Sequence, residues 1–366
     1  MRIIVARDHR PGEDDGMPVT GWMSLHDRLR ERIGGDALDL PTLANEVYAA
    51  VARHVPHDFA CLATTDPASG VVTWASKTRD LGIGDEEFAA AEYGSTSDIN
   101  RFEEIARRRP PVGAIHLDTD GHPEISYRHR EFMQRRFGFT DELRAAFVSR
   151  GACWGALGLA RADGDPPYTQ ADLDQVATIC DLVAVAIQRS LFRPGTTTDP
   201  VPAPAGPSVL IVDATNRLTH ATPAARAAIA DLGGFDHGSL PANVLAVIAT
   251  TRLRQEPFQS RTQLENGRWL SLRAAPLEGT TGGSPDIVVT LEPTPRSVLS
   301  RLALAAHGLT SREEDVAVLV LQGVDTKGIA QSLHLSSHTV QDHLKMIFTK
   351  LGVSSRREMT ARLTLD

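Results

Sequence analysis

The chain of 366 residues lacks long apolar runs, and none approaches the roughly 20 residues that a membrane-spanning helix needs. The N-terminus also lacks the basic, apolar and small-residue order of a signal peptide. We therefore expect a cytoplasmic protein that makes no membrane contact. Apolar residues make up 42% and charged residues 23%, which is typical of a soluble globular chain, and the length predicts two or three domains.

Cysteine is scarce, and the three present (Cys61, Cys153 and Cys180) show no C-x-x-C spacing. An odd number at this spacing favours neither a disulfide framework nor a zinc site, so buried thiols are expected, with oxidant sensing by Cys61 or Cys153 as the alternative. The 13 histidines include no H-E-x-x-H pair, and we predict no metal and no cofactor. Surface or capping roles are expected for five histidines that are otherwise candidate haem or metal ligands: His54, His57, His116, His122 and His129.

Motifs of enzymes are missing as well. There is no G-x-x-x-x-G-K-[ST] loop for a nucleotide phosphate, and no catalytic residues are predicted. Five prolines between residues 194 and 207 mark a linker. The predicted segments are a disordered tail (1–22), a first domain (23–192), the linker (193–207), a second domain (208–294), a linker helix (295–307) and a C-terminal domain (308–366).

In the first domain, residues Phe59–Asp66 and 71–77 predict one hairpin. Leu143–Ser149 and Cys153–Arg161 predict a second, and apolar spacing over Asp172–Gln188 predicts one long helix. In the second domain, a hairpin crosses Thr215-Asn216, and Thr222-Pro223 is a helix start followed by two helices. Three strands follow, two of them joined at Asn266-Gly267. This order predicts a five-stranded antiparallel sheet with helices on one face.

The C-terminal domain shows four helix starts. Thr310-x-x-Glu313 and Ser355-x-x-Glu358 are capping boxes, and Asp325 and Ser336 are candidate caps between them. In the third helix, spacing at 100° per residue separates two faces. The core face is expected to hold Val340, Leu344, Ile347, Phe348 and Leu351. The outward face is centred on His338, Asp342, Lys345 and Thr349, flanked by Gln341 and Met346.

Charge is unevenly distributed along the chain. The net charge is −8, but residues 308–366 hold seven bases and seven acids, so the preceding part carries all of the excess. From His338 to Arg362 there are five bases and two acids. A local basic face of this kind attracts phosphates, although it is small for a single copy. The pattern alone fits a helix-turn-helix that enters a DNA groove, or a plain helical bundle with a solvated polar face.

The C-terminal stretch resembles the LuxR-type helix-turn-helix family. The matching residues are Leu309, Thr310, Arg312, Glu313, Val316, Gly323, Lys327, Ile329, Ala330, Leu333, Leu335, Ser336, Thr339, Val340, His343, Leu344, Ile347, Phe348, Lys350, Leu351, Gly352 and Val353. The resemblance implies a DNA-binding domain whose last helix makes dimer contacts. Expected DNA contacts are Lys327, Ser336, Ser337, His338, Thr339, Gln341, Asp342, Lys345, Thr349 and Lys350. Expected dimer contacts are Arg356, Met359 and Leu363.

Three positions set this domain apart. Gly328 replaces the usual glutamate of a capping box, so the second helix should begin less firmly. Gln341 replaces the usual lysine, and glutamine favours adenine where lysine favours phosphate or guanine. Asp342 on the outward face would repel phosphate but accept a hydrogen bond from cytosine. We therefore expect weaker nonspecific binding and a different site preference.

Upstream, Asp141-Glu142-Leu143-Arg144, Trp154-Gly155-Ala156-Leu157, Arg161 and Thr169-x-x-Asp172-Leu173 resemble a GAF sensor domain. The stretch from Val209 to Ala230 and the three strands after it resemble a PAS domain, with Thr222 where PAS domains usually carry asparagine. The expected fold class is α+β multidomain: a GAF-like α/β sensor, a PAS-like antiparallel sheet with helices, and a four-helix LuxR-type domain.

These resemblances imply a one-component transcriptional regulator and not an enzyme. Its expected partners are double-stranded DNA, a second copy of the chain and a small-molecule effector in the GAF-like or PAS-like domain. One alternative is that both upstream regions are ligand-free dimerisation or partner-binding scaffolds. Another is thiol chemistry, such as methionine sulfoxide reduction, in the GAF-like region.

Overall fold

The structure is a computed structural model that describes residues 23–94, 98–193, 206–277 and 285–363. The predicted tail (1–22) and residues 194–205 of the predicted linker lie outside the described residues. The described chain forms two antiparallel sheets, each with its own helices, and a C-terminal group of helices. The predicted α+β fold class is confirmed.

The first sheet has the strand order β2-β1-β5-β4-β3, with every neighbouring pair antiparallel. Both predicted hairpins are present. The second was predicted too short, because Asp141 and Glu142 interrupt the apolar pattern at the start of its first strand. Strand β3 was missed because it is only three residues long. The strands are β1 (Phe59–Thr65), β2 (Val72–Lys77), β3 (Val112–Ala114), β4 (Phe139–Ser149) and β5 (Ala152–Ala162).

Four helices cover one face of this sheet: α1 (Leu25–Ile33), α2 (Leu40–Val51), α7 (Gln170–Ala177) and α8 (Cys180–Leu191). Alternate strand residues such as Leu62, Leu143 and Leu157 are fully buried against them, as the two-residue period of a strand requires. The prediction of one helix over Asp172–Gln188 was wrong. The Thr178 hydroxyl donates to the Gln175 carbonyl at 2.7 Å, and the chain makes a turn at 178–179 before α8 begins.

Short elements fill the segment between the two hairpins. They are α3 (Glu86–Tyr93), α4 (Phe102–Ile105), α5 (Ile115–Asp118), a 3₁₀ turn (Pro123–Ile125), a π-helical turn (His129–Gln134) and α6 (Arg135–Phe137). This segment lies over the other face of the sheet, where Phe132 and Met133 pack with Phe59 and Phe139. The second face is therefore covered by irregular structure and not by regular helices.

The second sheet has the order β7-β6-β10-β9-β8 and is antiparallel throughout, as predicted. Thr222 caps α9 by accepting from the Ala225 N–H at 3.2 Å, and Gly267 turns the β8–β9 hairpin at φ 81°. Its elements are β6 (Val209–Val212), β7 (Leu218–Ala221), α9 (Pro223–Asp231), α10 (Ala242–Arg254), β8 (Phe258–Gln263), β9 (Trp269–Pro276) and β10 (Ile287–Pro293).

Helix α10 connects the two sheet domains. All ten residues from Ala242 to Thr251 are buried, because α10 packs on its own sheet and also on β2 and α3 of the first domain. The run ANVLAVIATT is apolar on nearly all sides, and such a helix is typically enclosed by protein. This apolar run could have been used to predict that the helix is enclosed, here by a contact between the two sheet domains.

The C-terminal helices are α11 (Arg296–Ala306), α12 (Ser311–Leu321), α13 (Thr326–Ser332), α14 (Ser337–Leu351) and α15 (Arg356–Leu363). The Thr310–Glu313 capping box and the Asp325 and Ser336 caps are all present. The last box differs from the prediction: Ser355 accepts from the Glu358 N–H, but the Glu358 carboxylate accepts from Ser354 instead. Within the described part of the chain, every helix is too short or too polar to cross a membrane.

Candidate nucleic-acid interface

Helices α13 and α14 form a helix-turn-helix. The Asp325 side chain accepts from the Gly328 N–H at 2.7 Å and starts α13, and Ser336 accepts from the Thr339 N–H at 3.0 Å and starts α14. Arg312 of α12 donates to the Leu333 carbonyl at 2.7 Å, which holds the end of α13 in place. Helix α14 thus follows a short turn, and the starts of both helices are capped by side chains.

Helix α14 has the two faces that its sequence predicts. Val340, Leu344, Ile347 and Leu351 are buried in the core of the C-terminal helices, and Phe348 is half-buried. The opposite face is exposed and mainly polar, with Met346 as an exposed apolar residue at its edge. Its exposed polar residues are Ser337, His338, Gln341, Asp342, Lys345 and Thr349. Side chains of this kind are the ones that reach base edges and phosphates when a helix enters the major groove.

The charges on this face are mixed. The His338 Nε2 and Asp342 Oδ2 atoms are 3.7 Å apart on adjacent turns, and both side chains are largely exposed. Lys345 on α14 and Lys327 on α13 are also exposed. The surface therefore offers two free-standing lysines beside an acidic residue, which agrees with the small basic excess counted from the sequence.

Lys350 has a different environment from the one predicted. Its ammonium lies 2.6 Å from Glu313 Oε2, and Glu313 is almost completely buried. Burial by itself would raise the pKa of Glu313, but the hydrogen bonds from Lys350 and Thr310 lower it. The charge of Lys350 is thus used to join the end of α14 to the start of α12, and it is not free for a phosphate.

The residues predicted for dimer contacts are buried or hydrogen-bonded within the chain, and their role in a dimer stays a prediction. Met359 is fully buried and Leu363 is 2% exposed, because they form the apolar side of α15 that packs against Ala303 and Leu304 of α11. Arg356 donates to the Val324 carbonyl at 2.9 Å and to the Thr326 hydroxyl at 3.0 Å. All three side chains are engaged inside the chain, so in this arrangement they do not form an open contact surface.

Gly328 lies against its neighbours more closely than another residue would allow. A Cβ atom there would be 2.7 Å from Val324 Cγ1 and 3.0 Å from Asp325 Oδ1. The capping bond of α13 is made at this same residue. That the glycine weakens the start of the helix stays a prediction, but the packing gives a reason for a small residue here.

The first sheet carries a buried charge cluster that the sequence did not predict. Glu142 and Arg144 of β4 meet Glu92 of α3 and Arg128, and all four side chains are at most 5% exposed. Arg128 Nη1 is 2.6 Å from Glu142 Oε2, and Arg144 Nη1 is 2.6 Å from Glu92 Oε2. Burial would raise the pKa of Glu142, but Arg128 and Arg144 outweigh it and lower this pKa to about 2. The sequence signal for this cluster was an acidic and a basic residue at alternate positions of one strand.

The three thiols are poorly suited to redox chemistry, and two of the candidate histidines bind backbone carbonyls. Cys180 is buried and Cys61 and Cys153 are half-buried. Desolvation raises the pKa of Cys61 to about 11 and that of Cys180 to about 12, so the thiolates that oxidant sensing or thiol catalysis requires are scarce at neutral pH. His54 and His57 make hydrogen bonds to backbone carbonyls. His129 is fully buried, so the surface or capping role expected for it is wrong. Among the described residues, no three His, Cys, Asp or Glu side chains come together to hold a metal ion.

Comparisons with known proteins match two parts of the chain. Residues 307–363 match the model of the GerE domain of bacterial regulatory proteins of the luxR family, and residues 39–187 match the GAF domain. A putative HTH-type transcriptional regulator of Aeromonas salmonicida is 41% identical over 75 residues, which cover 19% of this chain and 38% of that protein. The transcriptional regulatory protein DesR of Bacillus subtilis is 46% identical over 57 residues, or 16% and 29% of the two chains.

The chain thus spans well under half the length of these two relatives. A smaller relative is matched over most of its length. The spore germination protein GerE of Bacillus subtilis is 40% identical over 55 residues, which are 15% of this chain and 74% of GerE. The capped helices, the exposed face of α14 and these matches lead to one assignment. The chain belongs to the luxR family of bacterial regulatory proteins and combines a LuxR-type helix-turn-helix with a GAF domain.

Proposed function

We propose that the protein is a sequence-specific DNA-binding regulator that acts as a homodimer. The observation that carries this proposal is the exposed polar face of α14. The opposite, apolar face of this helix is buried, and a capped turn fixes where the helix begins. We propose as DNA contacts Lys327, Ser336, Ser337, His338, Thr339, Gln341, Asp342, Lys345 and Thr349. Two copies would double a basic surface that is small in one copy and would read two half-sites.

We propose that the three domains lie within residues 23–192, 208–294 and 308–366, and that the first two control the third. Helix α11 supports this proposal because neighbouring residues belong to two different cores. Leu299 and Leu302 are buried with the first sheet domain, whereas Ala303 and Leu304 are buried with α12–α15. A shift of the sensor region would therefore move the DNA-binding helices, provided that α11 stays rigid. The PAS-like identity of the second sheet domain remains part of this proposal.

Replacing Gln341 with lysine tests the proposed DNA contacts. The added charge should strengthen nonspecific binding and steepen the salt dependence of log K by about 0.9 for one more phosphate contact. Preference at the base that faces residue 341 should move from adenine towards guanine. Both changes can be measured by fluorescence anisotropy on mapped sites at several salt concentrations. The same titrations give the stoichiometry, for which we expect two chains per site.

The matched control is Gln170→Lys on α7, which adds the same charge at an exposed position of the first domain. It should leave the salt dependence and the base preference unchanged. The proposed contact is wrong if Gln341→Lys behaves like this control.

Inserting two glycines after Leu302 tests the role of α11. The insertion interrupts a helix that joins two cores, so occupancy of the mapped sites should persist while regulation from them is lost. Chromatin immunoprecipitation measures the first quantity and a reporter gene the second. The same insertion after Gly164, in an exposed loop behind β5, is the control and should preserve regulation. Normal regulation by the α11 variant would refute transmission through this helix.

A further inference from the structure

A cavity lies between the second face of the first sheet and the segment that covers it. Its walls are unusually rich in aromatic rings, since five of the eleven phenylalanines of the chain line it. They are Phe59, Phe88, Phe102, Phe132 and Phe137. Phe132 packs edge-on to Phe137 at a centroid distance of 5.2 Å and lies 6.2 Å from Phe88. Such a surface favours an apolar, ring-containing occupant.

The charged residues that line this cavity are paired with one another or with close neighbours. Lys77 Nζ is 2.6 Å from Asp85 Oδ1. Glu142 and Arg144 belong to the buried cluster described above, and the Arg144 guanidinium also lies 4.2 Å from the centre of the Phe102 ring. A charged ligand would lose its hydration in this cavity and find its potential partners already engaged. The lining therefore selects for an uncharged ligand.

The second sheet domain supplies part of the wall. Ala242, the first residue of α10, lines the cavity. The rim is also held by that domain: His237 Nε2 is 3.0 Å from Asp80 Oδ1, and Gly84 lies so near Ser239 that a Cβ atom would be 1.9 Å from its Oγ. The second sheet domain therefore completes part of the cavity wall when the two sheet domains are docked.

The size of the cavity limits the ligand. Its volume is about 80 Å³, while the empty space that includes its open mouth is about 960 Å³. An engineered apolar cavity of roughly 150 Å³ holds benzene. The volume here is smaller, so a single ring would fill the cavity and extend into its open mouth.

We propose that this cavity binds a small, uncharged, single-ring apolar ligand between the two sheet domains, and that the ligand stabilises their docking. The inference deepens the proposed sensor function by naming the class of effector and the contact that it changes. By linkage, the ligand must favour docking by the same factor by which docking favours ligand binding. A substitution therefore weakens ligand binding to the extent that it leaves chains undocked. Binding is measured directly on the protein, so its outcome does not depend on whether the ligand alters DNA binding.

The test uses the full chain and three probes that share one ring: toluene, benzoate and benzylammonium. Calorimetric titration should show toluene binding, and toluene should raise the melting temperature. Benzoate and benzylammonium should bind at least about tenfold more weakly, because their charges would be buried without a free partner. Equal or tighter binding of either charged probe, or no binding of toluene, overturns the proposed ligand class.

Gly158→Val locates the site. A Cβ atom at Gly158 would point into the cavity and meet only Glu142 Oε1 and Phe102 Cζ, each at 4.0 Å, so the added methyl groups should displace toluene without disturbing β5. Gly35→Val is the matched control, because a Cβ there has nothing within 4 Å and Gly35 does not line the cavity. Toluene affinity should fall more than about tenfold in the first variant and stay unchanged in the second. Equal affinity in both variants would place the site elsewhere.

Ala242→Leu tests the wall from the second domain, since its larger side chain would enter the cavity only if α10 closes it. Toluene affinity should fall as it does for Gly158→Val. Arg261→Met, which removes a docking contact to Asp66 without replacing a lining residue, should also weaken toluene binding. If toluene binds Ala242→Leu and Arg261→Met as it binds the natural chain, the cavity belongs to the first domain alone and the two-domain proposal is wrong. If toluene binds as expected but leaves DNA binding unchanged, the ligand site stands and the proposed sensor control fails.

Discussion

Replacing Arg144 with methionine is expected to lower the free energy of unfolding by about 3–5 kcal/mol at pH 7. Arg144 is 1% exposed and is the nearest cation to Glu92, so the substitution leaves a buried carboxylate without its closest counter-charge. Urea unfolding followed by circular dichroism measures the change.

The dependence of stability on acid pH provides a second test of the same buried charge cluster. The pKa of Glu142 in the folded protein is about 2, below its ordinary value of 4.5. A group whose pKa is lower in the folded state contributes stability above its unfolded pKa and loses that contribution as the pH falls through the folded value. Stability should therefore decline between pH 4.5 and pH 2. The decline should be smaller in Arg144→Met, because less of the stabilising charge remains to be lost.

The matched control is Arg107→Met, which removes an arginine from an exposed pair with Glu103. An exposed pair of this kind contributes little, and the expected change is below about 1 kcal/mol. Combining Arg144→Met with Glu92→Gln should recover part of the loss, since no buried charge is then left without a partner. If Arg144→Met costs no more than Arg107→Met, the cluster is not closed in solution.

Replacing Arg261 with methionine is expected to weaken the contact between the two sheet domains by about 3–5 kcal/mol. Arg261 of β8 forms a two-pronged contact with Asp66 of the first domain, at 2.6 and 3.1 Å, and the Asp66 side chain is only 2% exposed. Two further hydrogen bonds join the domains nearby, donated by Asn243 and Thr262 to the Thr73 carbonyl. Once the guanidinium is lost, denaturation should separate into two transitions, because Asp66 regains water only when the domains part.

Arg273→Met serves as the control for this variant. Arg273 is exposed on the neighbouring strand β9, and its loss should leave a single transition. Unfolding of Arg261→Met in one transition at the natural midpoint would show that the Asp66–Arg261 contact does not hold the domains together.

The C-terminal helices were predictable because their signals are local. A capping residue acts on backbone groups three positions away, and the spacing of Val340, Leu344, Ile347 and Leu351 defines a buried face without reference to the rest of the chain. The same holds for the Asn266-Gly267 turn. The separation of polar and apolar faces on α14, which underlies the proposed DNA contacts, could therefore be read from the sequence.

The errors arose where distant segments decide the outcome. The DNA contact of Lys350 and the dimer contact of Met359 stay predictions, but the sequence did not show that Glu313 and α11 engage these residues inside the fold. The start of β4 was missed because Asp141 and Glu142 look like surface residues, whereas Glu142 is buried beside Arg128. The cavity depends on Ala242, which follows Phe59 by more than 180 residues. No local pattern contains that proximity.

The packing of α15 against α11 affects how a shortened protein would behave. A fragment that begins after Ala306 would retain the helix-turn-helix but would lose Ala303 and Leu304, which share one apolar core with Met359 and Leu363, and part of that core would become exposed. Newly exposed apolar surface promotes association between copies. Self-association of such a fragment would therefore be created by truncation, and the number of copies bound to DNA is properly determined with the complete chain.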